Sequence, residues 1–286
     1  MAANNTTLHQ HQLWTSLLST QVGIAVTALI LNAAILIKHI LQPSIITHFT
    51  VYLLVLYLAN VVFLLGVRPI QFSNEIQAAG QWSFGLGLCV LHTYFQRVFS
   101  VIPVMSHLLI ATDRFWALQF PHAYRHHRTI KTSLLVCAGM ICYVHCFALP
   151  AFIVHLPFIH AGHCQQSPQL QDWFRVENMM DRFLPLMLIL GIYVYIFIKR
   201  WRRRKPLTPM RVAAEGSQGS RSLPDSSRRA LVRPFVVLTL TTLGVAVCWL
   251  PLDVFFFCKV YLNYAMPDTV AASFTILFTL QSVLIR

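Results

Sequence analysis

Seven long apolar stretches constrain this chain more than any other feature of its sequence. A helix needs about 20 predominantly apolar residues to cross a bilayer. The candidate spans are residues 20–40, 48–70, 87–118, 132–155, 180–201, 231–257 and 267–285. They take up most of the 286 residues. The sequence therefore predicts an all-α, membrane-embedded helix bundle without a separate soluble domain.

The charge balance has to be interpreted together with this hydrophobicity. The net charge is +13, from 22 Lys and Arg against 9 Asp and Glu. In a soluble protein such an excess is typical of nucleic-acid binding. Here 56% of the residues are hydrophobic and only 11% are charged, and the basic residues cluster in loops beside the spans. We therefore predict no nucleic-acid partner and expect these clusters to attract anionic membrane lipids.

The basic residues also set the orientation predicted for the bundle. Lys and Arg concentrate in the loops that follow the first, third and fifth spans, and such an excess marks cytoplasmic loops. Segment 1–19 is then extracellular, in agreement with Asn-x-Thr glycosylation acceptors at Asn4 and Asn5. Segment 202–230, rich in Ser, Pro and Gly, is predicted to be a flexible third cytoplasmic loop.

Two of the seven cysteines are placed to form a disulfide bond. Cys89 opens the third span on its outer side, and Cys164 lies in the outer loop after the fourth span. Both face an oxidising compartment, which favours a bridge between them. Most of the other cysteines fall inside spans, where a free cysteine behaves as a small apolar residue.

Short motifs occur at characteristic places within the spans. They are Asn32 in the first span, Trp82-Ser83-Phe84-Gly85 before Cys89, Asp113-Arg114-Phe115 at the end of the third span, Pro121 seven residues after Arg114, Pro185 with Tyr193 in the fifth span, and Cys248-Trp249-Leu250-Pro251 in the sixth. Together they resemble the rhodopsin-like G-protein-coupled receptors, whose Asp-Arg-Tyr motif has Phe115 here in place of Tyr. The resemblance covers nearly the whole chain. It implies a seven-transmembrane bundle at the plasma membrane.

The resemblance implies a switch region that couples to a heterotrimeric G protein. The residues assigned to it are Asp113, Arg114, Phe115, Tyr193 and Pro251. Pro251 removes a backbone hydrogen bond and kinks its helix. Beside the bulky Trp249, this kink is expected to form a two-state element. The alternative interpretations are a static kink and simple packing of the indole.

The ligand-binding candidates lie toward the outer side of the bundle. They are Gln96, Arg97, Trp249 and Asp253. Gln96 takes the place at which amine receptors carry their aspartate, which argues against an amine ligand. Arg97 favours a carboxylate or phosphate, with pairing to a neighbour such as Asp253 as the alternative. Because peptide and nucleotide receptors share the same outer-loop layout, we favour a peptide or other anionic organic ligand that arrives from outside.

Several family positions are altered in this chain. Asn60 replaces the aspartate of the usual sodium pocket and Pro103 its serine, so we expect no sodium or other metal site and no cofactor. Leu231 stands where an acidic residue often holds the arginine of the third span. The sequence stops at Arg286, where the family's Asn-Pro-x-x-Tyr would begin. The resemblance therefore implies a last helix cut short.

Three functional readings follow from these observations. The first is a ligand-activated receptor, and the second is a truncated receptor product that traps ligand or partner receptors without signalling. A membrane transporter is a weaker third, since no internal repeat is visible and few charges fall inside the spans. An enzyme is not expected, because the sequence lacks metal-ligand spacing, a phosphate-binding loop and a nucleophile elbow.

The predicted orientation can be tested through its glycosylation sites. We expect treatment of the expressed protein with an N-glycosidase to lower its apparent mass, because Asn4 and Asn5 face the lumen during synthesis. Double replacement of both asparagines by Gln should abolish this shift. An unchanged mobility of the wild-type protein would contradict an outer N-terminus that carries sugar.

Overall fold

The computed structural model describes the first five predicted spans in most detail. The described residues are 2–76, 82, 84–156, 164, 171–203, 244, 248–251, 253–255, 257, 258, 261, 276 and 280. The predicted spans 231–257 and 267–285 and the predicted loop 202–230 fall largely outside these residues. The backbone at Asn4 and Asn5 is described, and their side chains are not.

Helices account for nearly all of the described residues, and no strand occurs among them. The helices are α1 (Ala2–Leu41), α2 (His48–Val62), α3 (Arg68–Ile76), α4 (Gly85–Gln119), α5 (Pro121–His127), α6 (Ile130–His155), α7 (Gln171–Asn178) and α8 (Leu184–Arg203). Two π-helical segments, Phe63–Val67 and Met179–Phe183, join α2 to α3 and α7 to α8. A short 3-10 turn, Pro43–Ile45, follows α1.

Five helical segments in the described ranges are long and apolar enough to cross a membrane. They are Thr15–Leu41, His48–Asn74, Gly85–Gln119, Ile130–Val154 and Asp172–Lys199. Large apolar side chains such as Ile40, Leu135 and Phe197 remain exposed on their outer faces. Such faces are costly in water and are suited to a lipid environment. The prediction of an all-helical, multi-pass membrane protein is confirmed for this part of the chain.

α4 is the central helix of the described bundle, because it contacts α2, α6 and α8. Leu56 of α2, Ile110 of α4 and Leu186 of α8 pack with Trp249 in one buried cluster. A second buried cluster joins α4 to α6 around Val101. The middle of α4 is consequently packed against several neighbouring helices.

Threonine caps fix where α2 and α6 begin. The Thr47 hydroxyl accepts a hydrogen bond from the Thr50 backbone N–H at 3.3 Å, and the Thr50 hydroxyl accepts one from the Thr47 N–H at 3.2 Å. Thr129 and Thr132 form the same reciprocal arrangement at the start of α6. These capping boxes satisfy backbone donors that the first helical turn leaves unpaired. They place His48 and Phe49 of α2 beside the end of α4.

The predicted disulfide bond between Cys89 and Cys164 is confirmed, with their Cα atoms 5.8 Å apart. Trp82 packs against Cys89 in the same buried cluster. The indole N–H of Trp82 donates to the Gly85 carbonyl at 2.8 Å. Gly85 has a φ of 76°, a conformation that glycine adopts without steric cost. The turn before α4 therefore presents Cys89 to the outer loop.

Removing the disulfide should lower the stability of the bundle. The bridge closes a loop with a sequence separation of 75 residues, and loss of such a bond typically costs about 2–5 kcal/mol. We expect the Cys89→Ser/Cys164→Ser double variant to unfold at a lower temperature than the wild type in detergent micelles. Cys142→Ser, at an exposed free cysteine of α6, is the control. Equal midpoints for wild type and double variant would contradict a stabilising bridge.

Candidate functional site

Two clusters of buried and half-buried polar residues lie toward opposite ends of α4. The outer cluster consists of Arg97, Ser100, Tyr143, Glu177, Asp181, Arg182 and Asp253. The inner cluster consists of His48, Asp113, Tyr124 and Arg128. The two names follow the orientation predicted from the basic loops.

In the outer cluster, Arg97 is neutralised by a carboxylate from α7. Its guanidinium forms an ion pair with Glu177, whose side chain is only 5% exposed. The Arg97 Cζ atom also lies 3.9 Å from the centre of the Phe174 ring, within the range of a cation–π contact. Arg97 is therefore paired with Glu177 rather than with Asp253.

The π-helical segment between α7 and α8 supplies two further charges to the outer cluster. Asp181 is buried and accepts a hydrogen bond from the Tyr143 hydroxyl at 3.0 Å. Arg182 donates through Nη2 to the Ser100 hydroxyl at 2.6 Å. A π-helical turn contains one residue more than an α-helical turn requires, and such turns are frequent at functional sites. Here adjacent residues reach different helices, Asp181 to α6 and Arg182 to α4.

Asp253 faces a small cavity at the edge of the outer cluster. The cavity has a volume of about 20 Å³, and Arg182, Asn178, Phe257 and Tyr261 are among its other lining residues. Asp253 is 7% exposed. Its Oδ2 atom has no hydrogen-bond partner. The cavity therefore presents a buried carboxylate oxygen that still has bonding capacity.

The other predicted ligand contacts lie in different surroundings. Gln96 is exposed on α4, outside the contacts that build the outer cluster. Trp249 is 3% exposed, and its ring centre lies 6.4 Å from that of the buried His107 in an edge-on arrangement. Pro251 lies in the same helical stretch as Trp249, residues 248–251. The structure brings Arg97 and Asp253 into one cluster and leaves Gln96 outside it.

The sequence motifs do not identify Glu177, Asp181 and Arg182 as members of a site, because these residues lie just before or at the start of the predicted span 180–201. The structure places them in a helical run that starts at Gln171 and continues to Arg203. Spacing in the sequence nevertheless indicates which of these side chains share a helix face. Glu177 and Asp181 are four residues apart, which places them on one face of a helix. Asn178 and Arg182 have the same spacing.

The inner cluster is organised by the carboxylate of Asp113, which is 2% exposed. Asp113 forms an ion pair with Arg128, a residue between α5 and α6. It also accepts a hydrogen bond from the Tyr124 hydroxyl at 3.0 Å. His48 Nε2 lies 2.9 Å from the same hydroxyl. Burial raises the pKa of Tyr124 above its usual value, so the phenol stays protonated and can donate at neutral pH.

Arg114 and Asp113 are neighbours in the Asp-Arg-Phe motif, but their side chains form only a long ion pair. The Arg114 Nε atom lies 4.0 Å from Asp113 Oδ2, at the outer limit for an ion pair. The guanidinium carbon lies instead 3.7 Å from the centre of the Phe49 ring. Arg114 thus keeps part of its donor capacity for another partner, and its side chain is 24% exposed.

The other residues assigned to the switch lie along α4 and α8. The Phe115 ring packs against Tyr195 of α8 with ring centres 5.3 Å apart. Tyr193 is buried with Ala111 and Ile189 between the same two helices. Arg128 and Tyr124 were missed as members of this region, since a loop arginine and a loop tyrosine look like orientation signals and surface residues in the sequence.

Three of the buried carboxylates, Asp113, Glu177 and Asp181, each have a named donor. A group that competes for one of these donors must therefore rearrange a cluster. No group of His, Cys, Asp or Glu side chains able to hold a metal ion occurs among the described residues.

Breaking the inner ion pair should destabilise the bundle. Arg128→Gln leaves the Asp113 carboxylate buried without its cation, a change that typically costs about 3–5 kcal/mol. We expect a lower unfolding midpoint for this variant in detergent, measured by differential scanning fluorimetry. Arg125→Gln is the matched control, because Arg125 is exposed on α5. An unfolding midpoint for Arg128→Gln equal to that of Arg125→Gln would contradict the assigned pair.

Comparison with known proteins agrees with the motifs and the helices. Residues 31–284 match the family model described as 7 transmembrane receptor (rhodopsin family). Trace amine-associated receptor 13c of Danio rerio is 24% identical over 225 residues, which cover 75% of this chain and 64% of that receptor. Trace amine-associated receptor 5 of Mus musculus is 28% identical over 243 residues, which cover 79% and 66%.

An invertebrate relative extends the comparison beyond receptors named for amines. The Allatostatin-A receptor of Bombyx mori is 24% identical over 251 residues, which cover 84% of this chain and 65% of that receptor. The chain spans just under two thirds of the length of these relatives. The matching proteins are receptors rather than enzymes, and the matched region extends from α1 to residue 284. The chain belongs to the rhodopsin family of seven-transmembrane receptors.

Proposed function

We propose that this chain is a plasma-membrane receptor that binds an extracellular organic ligand at the outer cluster and activates a heterotrimeric G protein. The observation that carries the proposal is that α4 holds a half-buried arginine toward one end and a buried aspartate toward the other. Sixteen residues separate Arg97 from Asp113, which is about 24 Å along a helix at roughly 1.5 Å per residue. One continuous helix therefore connects a site that is reached from outside with a site that faces the cytoplasm.

The middle of the bundle supplies the element that can change state. Trp249 lies against His107 of α4 between the two clusters. Pro251 follows Trp249 by two residues, and the missing hydrogen bond beside a proline allows a helix to bend. A ligand that prefers one position of this segment shifts the population toward that position. The inner ends of α4 and α8 then change their contacts.

The inner cluster supports a role for Arg114 in coupling. Because Arg128 and Tyr124 bind Asp113, the contacts of Arg114 among the described residues are a weak ion pair and the Phe49 ring. A guanidinium in this position can donate to backbone carbonyls or carboxylates of a cytoplasmic partner at little cost. Exposed basic residues nearby, such as Lys38, Arg125 and Arg202, are suited to anionic lipid headgroups.

The ion pair of Arg97 with Glu177 weakens the case for an anionic ligand. The preference for an anionic ligand rested on an Arg97 free to bind it, and Glu177 already neutralises Arg97. An anionic group would have to displace Glu177 and leave that carboxylate buried and unpaired. The relatives are named for trace amines and for allatostatin A, so their names include both an amine and a peptide class. The cavity beside Asp253 is the better candidate for the ligand contact.

The two alternatives differ from this proposal in what they predict for signalling. Membership of a receptor family disfavours a transporter. A receptor product that only traps ligand or partner receptors would bind without activating any G protein. Measurement of activation therefore separates the proposed function from the trap.

Arg114→Ala should abolish G-protein activation and leave the outer cluster intact. The reason is position, since Arg114 lies about 26 Å along α4 from Arg97 at roughly 1.5 Å per residue. We would express the chain with a panel of heterotrimeric G proteins and measure nucleotide exchange, at matched surface levels, with and without a library of organic ligands. We expect the variant to lose more than about 90% of the nucleotide exchange, because it lacks the guanidinium that would contact the G protein.

The matched control is Lys38→Ala, which removes an exposed cation at the cytoplasmic end of α1. It should signal like the wild type. Activation that survives Arg114→Ala would remove Arg114 from the coupling site. Surface-expressed wild type that activates no member of the panel would favour the trap.

A further inference from the structure

The Asp253 carboxylate is one of several buried polar groups that the described contacts leave incompletely satisfied. Its Oδ2 atom has no hydrogen-bond partner, and the residue is 7% exposed. A buried polar atom without a partner is unfavourable, and more so when it carries a charge. This oxygen belongs to a residue that lines the cavity of about 20 Å³. The cavity exceeds the roughly 10–15 Å³ that one water molecule requires.

The charges around this cavity do not balance within the described part of the chain. The outer cluster contains the guanidiniums of Arg97 and Arg182 and the carboxylates of Glu177, Asp181 and Asp253. Arg97 is used by Glu177. Arg182 interacts electrostatically with both Asp181 and Asp253 and donates one hydrogen bond to the Ser100 hydroxyl. One carboxylate therefore lacks a cation of its own.

Three aromatic rings, with Asn178 and Met179, form the remaining wall of the cavity. The Phe257 ring stacks with Phe183 at a centre-to-centre distance of 5.6 Å and with Tyr261 at 4.8 Å. The Tyr261 hydroxyl donates to the Arg175 carbonyl at 2.6 Å, so its polar end is occupied. Faces of aromatic rings attract cations. A carboxylate opposite aromatic rings is the chemistry that proteins use to bind an ammonium group.

We infer that this cavity binds the primary ammonium group of an extracellular ligand, with Asp253 Oδ2 as the acceptor and the rings of Phe257 and Tyr261 as the apolar wall. An ammonium group is about the size of the water molecule that the cavity admits. It brings one positive charge and three donors, which meets both the charge imbalance and the unpaired oxygen. The inference rests on the proposed function. In this chain the carboxylate that binds the cation is then Asp253, four residues after Trp249, and not a residue at the position of Gln96.

Three small probes with the same ring distinguish ammonium recognition from other binding. They are 2-phenylethylamine, the neutral 2-phenylethanol and the anionic 3-phenylpropanoate. The full chain of 286 residues would be reconstituted in lipid nanodiscs, and dissociation constants would be measured by calorimetry. We expect the amine to bind at least about 10-fold more tightly than either other probe, as for a charge-assisted hydrogen bond. The tripeptide Phe-Gly-Gly, free or N-acetylated, tests whether a peptide N-terminus serves as well as a small amine.

Asp253→Asn keeps the shape of the side chain and removes its charge. It should weaken binding of 2-phenylethylamine by roughly 10- to 100-fold and change binding of 2-phenylethanol by less than about 2-fold. Asp172→Asn is the matched control, because the Asp172 side chain is 90% exposed and pairs with Arg175. It should leave all three probes unaffected.

Several outcomes would overturn the inference. They are equal affinity of the wild type for the amine and the alcohol, amine binding that Asp253→Asn leaves unchanged, and no amine binding at millimolar concentration. If Asp253→Asn does not fold, the comparison of the three probes on the wild type still decides. Binding is measured without a G protein, so failure of the inference is distinguishable from failure of the proposed activation.

Discussion

Neutralisation of buried charge is the constraint on which this bundle depends. A charged side chain taken out of water loses hydration worth several kcal/mol, and it is retained only where partners replace that hydration. α4 carries Arg97 at one end and Asp113 at the other. Glu177 and Arg128 supply the opposite charges, and aromatic rings and hydroxyl groups complete both sets of contacts. The neighbouring helices are thereby tied to α4 at both ends.

The partners come from segments that adapt their geometry to α4. Arg128 lies in the short connection between α5 and α6, where the Thr129 capping box starts the next helix. Asp181 and Arg182 lie in a π-helical segment, whose extra residue lets neighbouring side chains reach different helices. The local departures from ideal helix are thus located where charges must be matched. Departures of this kind are where one would expect a receptor bundle to change contacts most easily.

These contacts show what the residues at the altered family positions bind in this chain. Asn60 donates to Asn32 at 3.3 Å, so two neutral amides bond where a carboxylate is usual. The arginine of the Asp-Arg-Phe motif rests on Phe49, and its aspartate is satisfied from α5 and the following loop. At the outer end, the cation on α4 is taken up by Glu177. The carboxylate of the outer cluster that keeps an unpaired oxygen is then Asp253. It does not lie on α4, the helix that contains Gln96.

The sequence by itself determined the class of the fold, its membrane setting, the Cys89–Cys164 bridge and the receptor family. These properties depend on the lengths of apolar runs, on the bilayer thickness and on local motifs, and each can be evaluated without knowing which residues meet in space. The sequence also singled out Arg97, Asp253, Asp113 and Arg114 as charges inside or at the edge of spans. Their prominence follows from the cost of placing charge in hydrocarbon.

Only the tertiary structure decided which charges neutralise which. Glu177 is 80 residues from Arg97 in the chain, and its choice over Asp253 depends on how α7 packs on α4. Asp113 forms its closer ion pair with Arg128, although Arg114 is adjacent in sequence, because the turn after α5 brings Arg128 next to the Asp113 carboxylate. Pairing energies depend on distances of a few ångströms between helices. Spacing along one chain does not contain those distances until the helices are packed.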